Sequence, residues 1–236
     1  MRQIVLDTET TGLEPSQGHK VIEIGAVEMV NRRLTGNNFH QYINPQREID
    51  EAAIEVHGIT LESLQDKPLF DDIAVQLLGY LKGAELVIHN AKFDVGFLNH
   101  EFHGAGYDEK IIDHNCTVLD TLSMARHKHP GQKNSLDALC KRYFVDNTQR
   151  TLHGALLDAE ILADVYLQMT GGQISLLGES EDITSQGSEL KKAMLDIADT
   201  SNIKVIRASD GELEQHAKWL DLLRKESKSE VVWDKI

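Results

Sequence analysis

The order of β-like and helical patterns along the chain limits its fold more than any other feature. Three β-like runs come first: RQIVLDTE, KVIEIGAVEMV from Lys20 and NNFHQYINP from Asn37, with the polar turn NRRLTGN between the last two. They predict a three-stranded antiparallel meander. Helical and strand patterns then alternate as far as Met169. A meander followed by such alternation predicts an α/β fold with a mixed sheet and helices on both faces.

The alternating half contains helices with clear apolar stripes. Apolar residues recur at helical spacing from Phe70 to Leu81, and Gly83 stands where a C-cap glycine is favoured. Asn134 or Ser135 can cap the helix SLDALCKRYF. The predicted elements are a helix over 70–81, a strand over 85–89, a helix over 93–102, a strand over 116–121, a helix in SLDALCKRYF and a helix over about 154–169.

Length and composition predict a cytoplasmic protein with one domain and a tail. The 236 residues have room for one large core. The apolar runs fall short of the roughly 18 to 20 residues of a membrane span, and carboxylates interrupt the N-terminal segment where a signal peptide would be apolar. The two cysteines, Cys116 and Cys140, show no CxxC spacing and are expected to be buried thiols.

The charge distribution bears on how the chain can bind nucleic acid. The formal net charge is −14, and residues 1–177 carry 15 basic and 25 acidic side chains. Phosphate binding generally needs a basic surface, so composition by itself argues against a tight DNA-binding domain. Any contact with nucleic acid must therefore depend on bound cations or on a partner.

A composition change marks the end of the main domain. The last helical pattern of that domain is followed by TGG, and polar, acidic residues without apolar periodicity follow soon after. Beyond them, LKKAMLDIA and DGELEQHAKWLDLLRKE have helical patterns and KVIRA resembles a strand. A tail of this length is too small for a large core and is expected to fold against a partner. The predicted layout is a domain over 1–172, a short motif over 173–178, a flexible linker over 179–188 and a docking segment over 189–236.

The stretch LDTETTG places two carboxylates at the end of the first strand. Residues i and i+2 of a strand point to the same face, about 6.6 Å apart, so Asp7 and Glu9 converge. Two like charges at that distance repel each other, and Mg²⁺ or Mn²⁺ with its preference for oxygen ligands would relieve the repulsion. A solvated strand end followed by a turn remains the alternative for this pair alone.

Two later segments add ionisable residues beside apolar helix faces. In VIHNAKFDVGFL, Asp94 follows a buried strand, and in TLHGALLDAE, His153 precedes Asp158 at the start of the last helix. A carboxylate on an apolar face needs a partner. Taken singly, Asp94 could be an N-cap, Asp158 a member of a surface salt bridge and His153 a packing or capping histidine.

The segments LDTETTG, HNAKFD and LHGALLDAE, in this order, resemble the three motifs of the DEDDh exonuclease family. The resemblance implies a ribonuclease H-like fold and 3′→5′ exonuclease activity with two divalent ions, Mg²⁺ or Mn²⁺, that stabilise the attacking and leaving oxygens. It makes Asp7 the bridging ligand, assigns Glu9 and Asp158 to the ion that activates water, and places Asp94 at the second ion. His153 is implied to be the general base, and nucleoside 5′-monophosphates are the implied products.

Four further residues lie in segments that line the substrate pocket in that family. Leu13, His57, His89 and Asn90 are candidates for contact with the terminal nucleotide, with packing or loop capping as the alternative. Lys92 stands inside the second motif where the family often has a small residue, and its role stays open.

The whole chain, apart from the linker, resembles the proofreading subunits of bacterial DNA polymerase III. The segments NRRLTGNNF, KPLF, NSLDALC, MTGGQ and KVIRASDGELEQHAKWLDLL carry this resemblance. It implies that the docking segment over 189–236 binds the catalytic (alpha) subunit of the polymerase and that the primer-template 3′ end is the substrate. Some members of this family also bind a small accessory (theta) subunit.

The motif QISLLG resembles the short peptide by which bacterial replication proteins bind the sliding clamp (beta). Gln173 would hydrogen-bond at the rim of the clamp pocket, with Ser175 beside the apolar anchors Leu176 and Leu177. The same letters could instead complete the packing of the last helix.

Two rival functions follow from the same residues. A stand-alone RNA-trimming exonuclease would need a basic surface and no tail, and neither suits this sequence. An adaptor that bridges polymerase and clamp would need the tail and QISLL but not the five site residues. The acidic domain and the docking tail together predict weak intrinsic affinity for DNA, because a linker supplies a high local concentration instead.

Overall fold

The computed structural model describes residues 1–150, 152–171 and 208–227. The chain divides into two compact units, Met1–Ile174 and Ser175–Ile236. The predicted clamp motif over 173–178, the linker over 179–188, the helical pattern LKKAMLDIA and the strand pattern KVIRA up to Arg207 lie outside the described residues. Within the described ranges, no helix combines the length and apolarity that a bilayer crossing requires.

A six-stranded mixed sheet forms the centre of the first unit. The strands are β1 (Arg2–Thr10), β2 (Val21–Val30), β3 (Arg33–Leu34), β4 (Phe39–Tyr42), β5 (Glu85–Ile88) and β6 (Thr117–Asp120). Their order in the sheet is β3-β2-β1-β5-β6, and β4 pairs with β2. The β1–β2 pair is antiparallel, as are β2–β3 and β2–β4, whereas β1–β5 and β5–β6 are parallel.

Helices cover both faces of this sheet. The described helices of the first unit are α1 (Glu51–His57), α2 (Leu61–Leu64), α3 (Phe70–Leu81), α4 (Ala91–Gly104), α5 (Ile111–Asn115), α6 (Thr121–Lys128), α7 (Leu136–Tyr143) and α8 (Ala155–Thr170). One core contains Ile4 and Leu6 of β1 with α3 and α4, and the other contains Val5 with α7 and α8. The alternation of β1 side chains between two apolar cores explains why this strand is buried along almost its whole length.

The predicted α/β fold with a mixed sheet and helices on both faces is confirmed, with changes of detail. The strand β4 is shorter than the run from Asn37 predicts, and the two-residue strand β3 lies inside the predicted turn NRRLTGN. Helix α4 begins at Ala91, two residues before the predicted start. Of the two candidate caps of α7, Ser135 is the cap, with its side chain accepting from the amide of Ala138.

The second unit is described only through its long helix α9 (Asp210–Ser227). This helix agrees with the pattern in DGELEQHAKWLDLLRKE. Glu212 accepts hydrogen bonds from the amide and hydroxyl of Ser209, which fixes the helix start. Leu213 and Trp219 are exposed on it.

Candidate active site

Asp7 and Glu9 extend from β1 on the face that α8 covers. They follow Val5, whose side chain belongs to the core under α7 and α8, at intervals of two residues. In the register with β2, Asp7 lies opposite Gly25 and Glu9 opposite Glu23. The two carboxylates therefore face α8, as the spacing in LDTETTG predicts.

Gly25 lets the start of α8 lie directly on this strand pair. A Cβ at Gly25 would stand 2.1 Å from backbone atoms of Ala155 and Leu156. The amide of Ala155 also donates to Oε2 of Glu23 at 3.2 Å. The first turn of α8 is thus held against the strand residues opposite Asp7 and Glu9.

His153 and Asp158 come from this end of α8. Gly154 is the N-cap, and Asp158 lies buried in the first turn with its amide bonded to the Gly154 carbonyl. The backbone amide of His153 donates to the carbonyl of Val56 at 3.1 Å, and 46% of its side chain is exposed. Its Nδ1 lies 3.5 Å from Oδ2 of Asp158.

Asp94 approaches from the other core. It lies buried in the first turn of α4 and accepts a hydrogen bond from Oγ1 of Thr8 at 2.7 Å. The N-cap of α4 is Asn90, in left-handed conformation with φ 70°, so the N-cap alternative for Asp94 is wrong. Thr8 lies between Asp7 and Glu9 on β1. This strand therefore carries two of the carboxylates on the face covered by α8 and hydrogen-bonds through Thr8 to a third, Asp94, on the face covered by α4.

Residues from three separate elements, β1, α4 and the start of α8, therefore form the candidate site. Ligand atoms of Glu9, His153 and Asp158 all lie within 4.8 Å of one another, a spacing that could hold a metal ion. One cavity of about 590 Å³ is lined by all five residues that the motifs predict, which are Asp7, Glu9, Asp94, His153 and Asp158.

Burial and mutual repulsion shift the acidity of these groups. Burial raises the pKa of Glu9 to about 8, with the negative charges of Asp158 and Glu23 adding to the shift. Burial also raises the pKa of Asp94 to about 7 against the opposing hydrogen bond from Thr8. The pKa of Asp7 rises for the same reason and through repulsion by Asp94 and Glu9. A buried set of acids that disfavours its own negative charge is suited to bind divalent cations.

Arg150 is a site residue that the sequence did not indicate. Its guanidinium donates to both oxygens of Asp158 and to Nδ1 of His153. Burial, followed by the charge of Arg150, lowers the pKa of His153. The salt bridge that was the alternative for Asp158 thus exists, but both partners are buried. A lone arginine in the polar segment before TLHG carries no pattern that predicts this contact.

The four candidate substrate residues divide between two cavities. His89 and Asn90 line the cavity of the carboxylates, whereas Leu13 and His57 line a more apolar cavity of about 410 Å³. Both cavities are lined by Thr8, Glu9 and Phe93. Leu13 is 77% exposed and His57 is buried.

His57 and His89 have different surroundings. Nδ1 of His57 accepts from the amide of Ile59, and its buried Nε2 has no hydrogen-bond partner among the described residues. Nδ1 of His89 lies 3.0 Å from Oγ1 of Thr121. Nδ1 of each ring is thus engaged within the protein.

Comparisons with known proteins find similar sequences and a similar fold. The family described as exonuclease matches residues 4–166. The chain is 54% identical over 238 residues to the DNA polymerase III subunit epsilon of Pasteurella multocida, covering 99% of this chain and 94% of the relative. Identity to the subunit of the same name from Escherichia coli K12 is 52% over 232 residues, covering 97% and 96%. Among solved structures, exonuclease X in complex with 5′ overhanging duplex DNA aligns with a TM-score of 0.53 and 26% identity over 71% of this chain and 90% of that one.

Proposed function

The chain belongs to the exonuclease family and, within it, to the epsilon subunits of DNA polymerase III, and from this membership we propose that it removes mismatched nucleotides from DNA 3′ ends during replication. The observation that carries the proposal is the convergence of four carboxylates and one histidine on a single cavity, from β1, α4 and α8. The reaction is a 3′→5′ hydrolysis of the terminal phosphodiester, with a nucleoside 5′-monophosphate as product.

The carboxylates would hold two divalent cations, Mg²⁺ or Mn²⁺. Such ions stabilise the attacking and leaving oxygens of a phosphodiester hydrolysis. Asp7 is central in this assignment because the charges of Asp94, Glu9 and Asp158 all act on it. Glu9 and Asp158 lie on the side of His153, and Asp94 lies on the side of Thr8. The raised pKa values of Glu9 and Asp94 support a site that becomes fully ionised only when cations are present.

His153 would take the proton of the attacking water. Its side chain is half exposed and reaches Asp158, so it borders both solvent and the carboxylates. Burial lowers its pKa, which keeps the imidazole neutral and able to accept a proton near neutral pH.

The apolar cavity beside the carboxylates would take the terminal nucleotide. Leu13 and Val56 supply apolar surface, and His57 lines the same cavity. His89 and Asn90 would contact the strand from the other cavity. A frayed end fits this arrangement, since a base must leave the duplex before it can enter a pocket in the protein.

The remaining partners belong to the C-terminal part of the chain. The proposed layout is an exonuclease domain over 1–172, a clamp-binding motif over 173–178, a linker over 179–188 and a segment over 189–236 that binds the polymerase alpha subunit. The exposed Leu213 and Trp219 of α9 offer apolar surface for that contact. A theta-like accessory subunit is a further proposed partner, bound to the exonuclease domain rather than to the C-terminal part. The bacterial cytoplasm, at the replication fork, is the proposed location.

The test measures nucleotide release from primers with a matched or mismatched 3′ end in Mg²⁺. We expect faster release from the mismatched primer, 5′-monophosphate as product, and loss of activity in Asp158→Asn. Asp164→Asn is the matched control, because Asp164 lies exposed on the same helix, and it should keep wild-type activity. An inert wild type, or an active Asp158→Asn, would overturn the proposal. Loss of clamp binding in Leu176→Ala with unchanged nuclease activity would separate the two functions.

A further inference from the structure

Arg150 binds both candidate residues at the α8 end of the cavity. Its Nε and Nη2 atoms donate to the two carboxylate oxygens of Asp158 at 2.5 and 2.7 Å. Nη2 also lies 3.0 Å from Nδ1 of His153. Only 7% of the Arg150 side chain is exposed. A guanidinium that forms two parallel bonds to a buried carboxylate is a strong and geometrically specific ion pair.

The contact with Arg150 fixes the tautomer of His153. A guanidinium has donors and no acceptor, so Nδ1 of His153 must accept. A neutral imidazole with an accepting Nδ1 carries its proton on Nε2. Neither ring nitrogen then has a free lone pair, and His153 cannot act as a general base in this arrangement.

Asp158 is engaged by the same side chain. Both of its oxygens accept from Arg150, so a divalent cation at Asp158 would lie beside a guanidinium that carries the same sign of charge. We propose that Arg150 is a latch on the metal-free site: guanidinium and divalent cation are alternatives at Asp158, and binding of the cation releases His153 for proton transfer. The inference rests on the proposed function, because that function assigns Asp158 to a cation and His153 to catalysis.

Asp137 anchors the Arg150 guanidinium through a separate hydrogen bond. Nη1 of Arg150 donates to Oδ1 of Asp137 at 2.9 Å, in the first turn of α7. This bond uses a different nitrogen from the two that bind Asp158, so it can persist when the guanidinium leaves that carboxylate. Asp137 is half exposed and lines the same cavity. Arg150 therefore stays within reach of Asp158 and can return when the cation leaves.

The experiment compares the Mn²⁺ affinity of the full-length wild type with three variants, by titration of free Mn²⁺ in electron paramagnetic resonance. The variants are Arg150→Gln, Arg150→Lys and Arg142→Gln. Arg142→Gln is the matched control, because it removes the same charge and because Arg142 donates to the Asn134 side chain and the Lys133 carbonyl.

We expect Arg150→Gln to bind Mn²⁺ about tenfold more tightly than wild type, since a charge-assisted bond no longer competes for Asp158. The Mn²⁺ affinity of Arg150→Lys should lie between those of wild type and Arg150→Gln, because a lysine keeps the charge without the bidentate hydrogen bonds. Arg142→Gln should match wild type.

A second measurement follows the imidazole of His153 by ¹⁵N resonances. In the metal-free wild type we expect a protonated Nε2 and a hydrogen-bonded Nδ1. Addition of Mg²⁺ should give Nδ1 the shift of a free lone pair, and Arg150→Gln should show that shift without Mg²⁺.

The latch and the proposed function fail in different ways. An Mn²⁺ affinity of Arg150→Gln equal to or weaker than that of wild type refutes the latch, because removal of a side chain that competes for Asp158 must tighten Mn²⁺ binding. A His153 signal that ignores both Mg²⁺ and the substitution refutes it independently of that affinity. If wild type hydrolyses DNA in either case, only the latch falls. If wild type binds no Mn²⁺ and releases no nucleotide, both fail.

Discussion

Replacement of Gly25 by alanine should disrupt the site from beneath. Gly25 lies on β2 opposite Asp7, and the first turn of α8 rests on it. An added Cβ would stand 2.1 Å from backbone atoms of Ala155 and Leu156, whereas ordinary contact begins at 3.4 Å. The atoms that the Cβ would meet are all backbone atoms of α8, so no flexible side chain can yield. The start of α8 must therefore retreat by about 1.3 Å, the difference between the two distances.

That displacement has two measurable effects. Overpacking of a tight core contact costs about 1 to 3 kcal/mol of stability, and a backbone obstacle belongs at the upper end of this range. The retreat also carries Asp158 and His153 away from Asp7 and Glu9. A misplacement of roughly 1 Å can cost about 100-fold in rate. We expect Gly25→Ala to be both less stable and about 100-fold slower in releasing mismatched nucleotides.

Gly96 provides the matched control. It is an exposed residue inside α4, and a Cβ there would meet no atom within 4 Å. Gly96→Ala should stabilise the protein by up to about 1 kcal/mol through helix propensity and leave activity unchanged. Urea unfolding and the mismatched-primer assay, applied to both variants, give the answer. A Gly25→Ala protein as stable and as active as wild type would refute the reasoning about the contact with α8.

Three further predictions concern protons, one hydrogen bond and one exposed side chain. The folded-state pKa values of Glu9 and Asp94, about 8 and about 7, exceed their ordinary values of 4.5 and 3.8. The folded protein therefore binds more protons than the unfolded chain between these values. In the presence of a chelator, its free energy of unfolding should fall as the pH rises from 5 to 8, by up to about 1.4 kcal/mol per pH unit for each proton. A flat urea-unfolding profile over that range would contradict these shifts. Thr8→Val removes the donor to Asp94 and should slow nucleotide release about tenfold, with the fold intact by circular dichroism. An unchanged rate would show that this hydrogen bond does not contribute to the reaction. Leu13→Ala should raise KM for primer DNA and leave the melting temperature unchanged, because Leu13 is 77% exposed; a lower melting temperature would assign it to packing instead.

Periodicity predicted the fold where elements are long. The apolar stripes of α3 and α8 and the run of β1 span several turns or residue pairs, so their patterns are unambiguous. Helices α1, α2, α5 and α6 were not predicted. They have four to eight residues, which gives few repeats of a helical stripe; α7 is as short as the longest of them, but a candidate N-cap before it helped to predict it. The sequence therefore indicated the sheet and its main covering helices, but not the short helices between them.

Motifs predicted the candidate site better than its surroundings. The five candidate residues were identified by their order and local sequence, and the structure brings them to one cavity. The contacts of Arg150 and the close approach at Gly25 were not identified, because both depend on how distant segments meet in space. A sequence records the residues of a site more directly than the contacts that restrain them.

The use of β1 by both cores also affects when this chain can become a nuclease. The carboxylates of the cavity come from a strand at the start of the domain and from helices on opposite faces of the sheet, the last of which ends at Thr170. During synthesis, a nascent chain without α8 lacks Asp158 and the histidine before it. Only molecules in which the helices of both faces have packed against the sheet therefore hold all the candidate residues. Partly folded or truncated chains lack a complete nuclease site and cannot hydrolyse DNA ends in the cell.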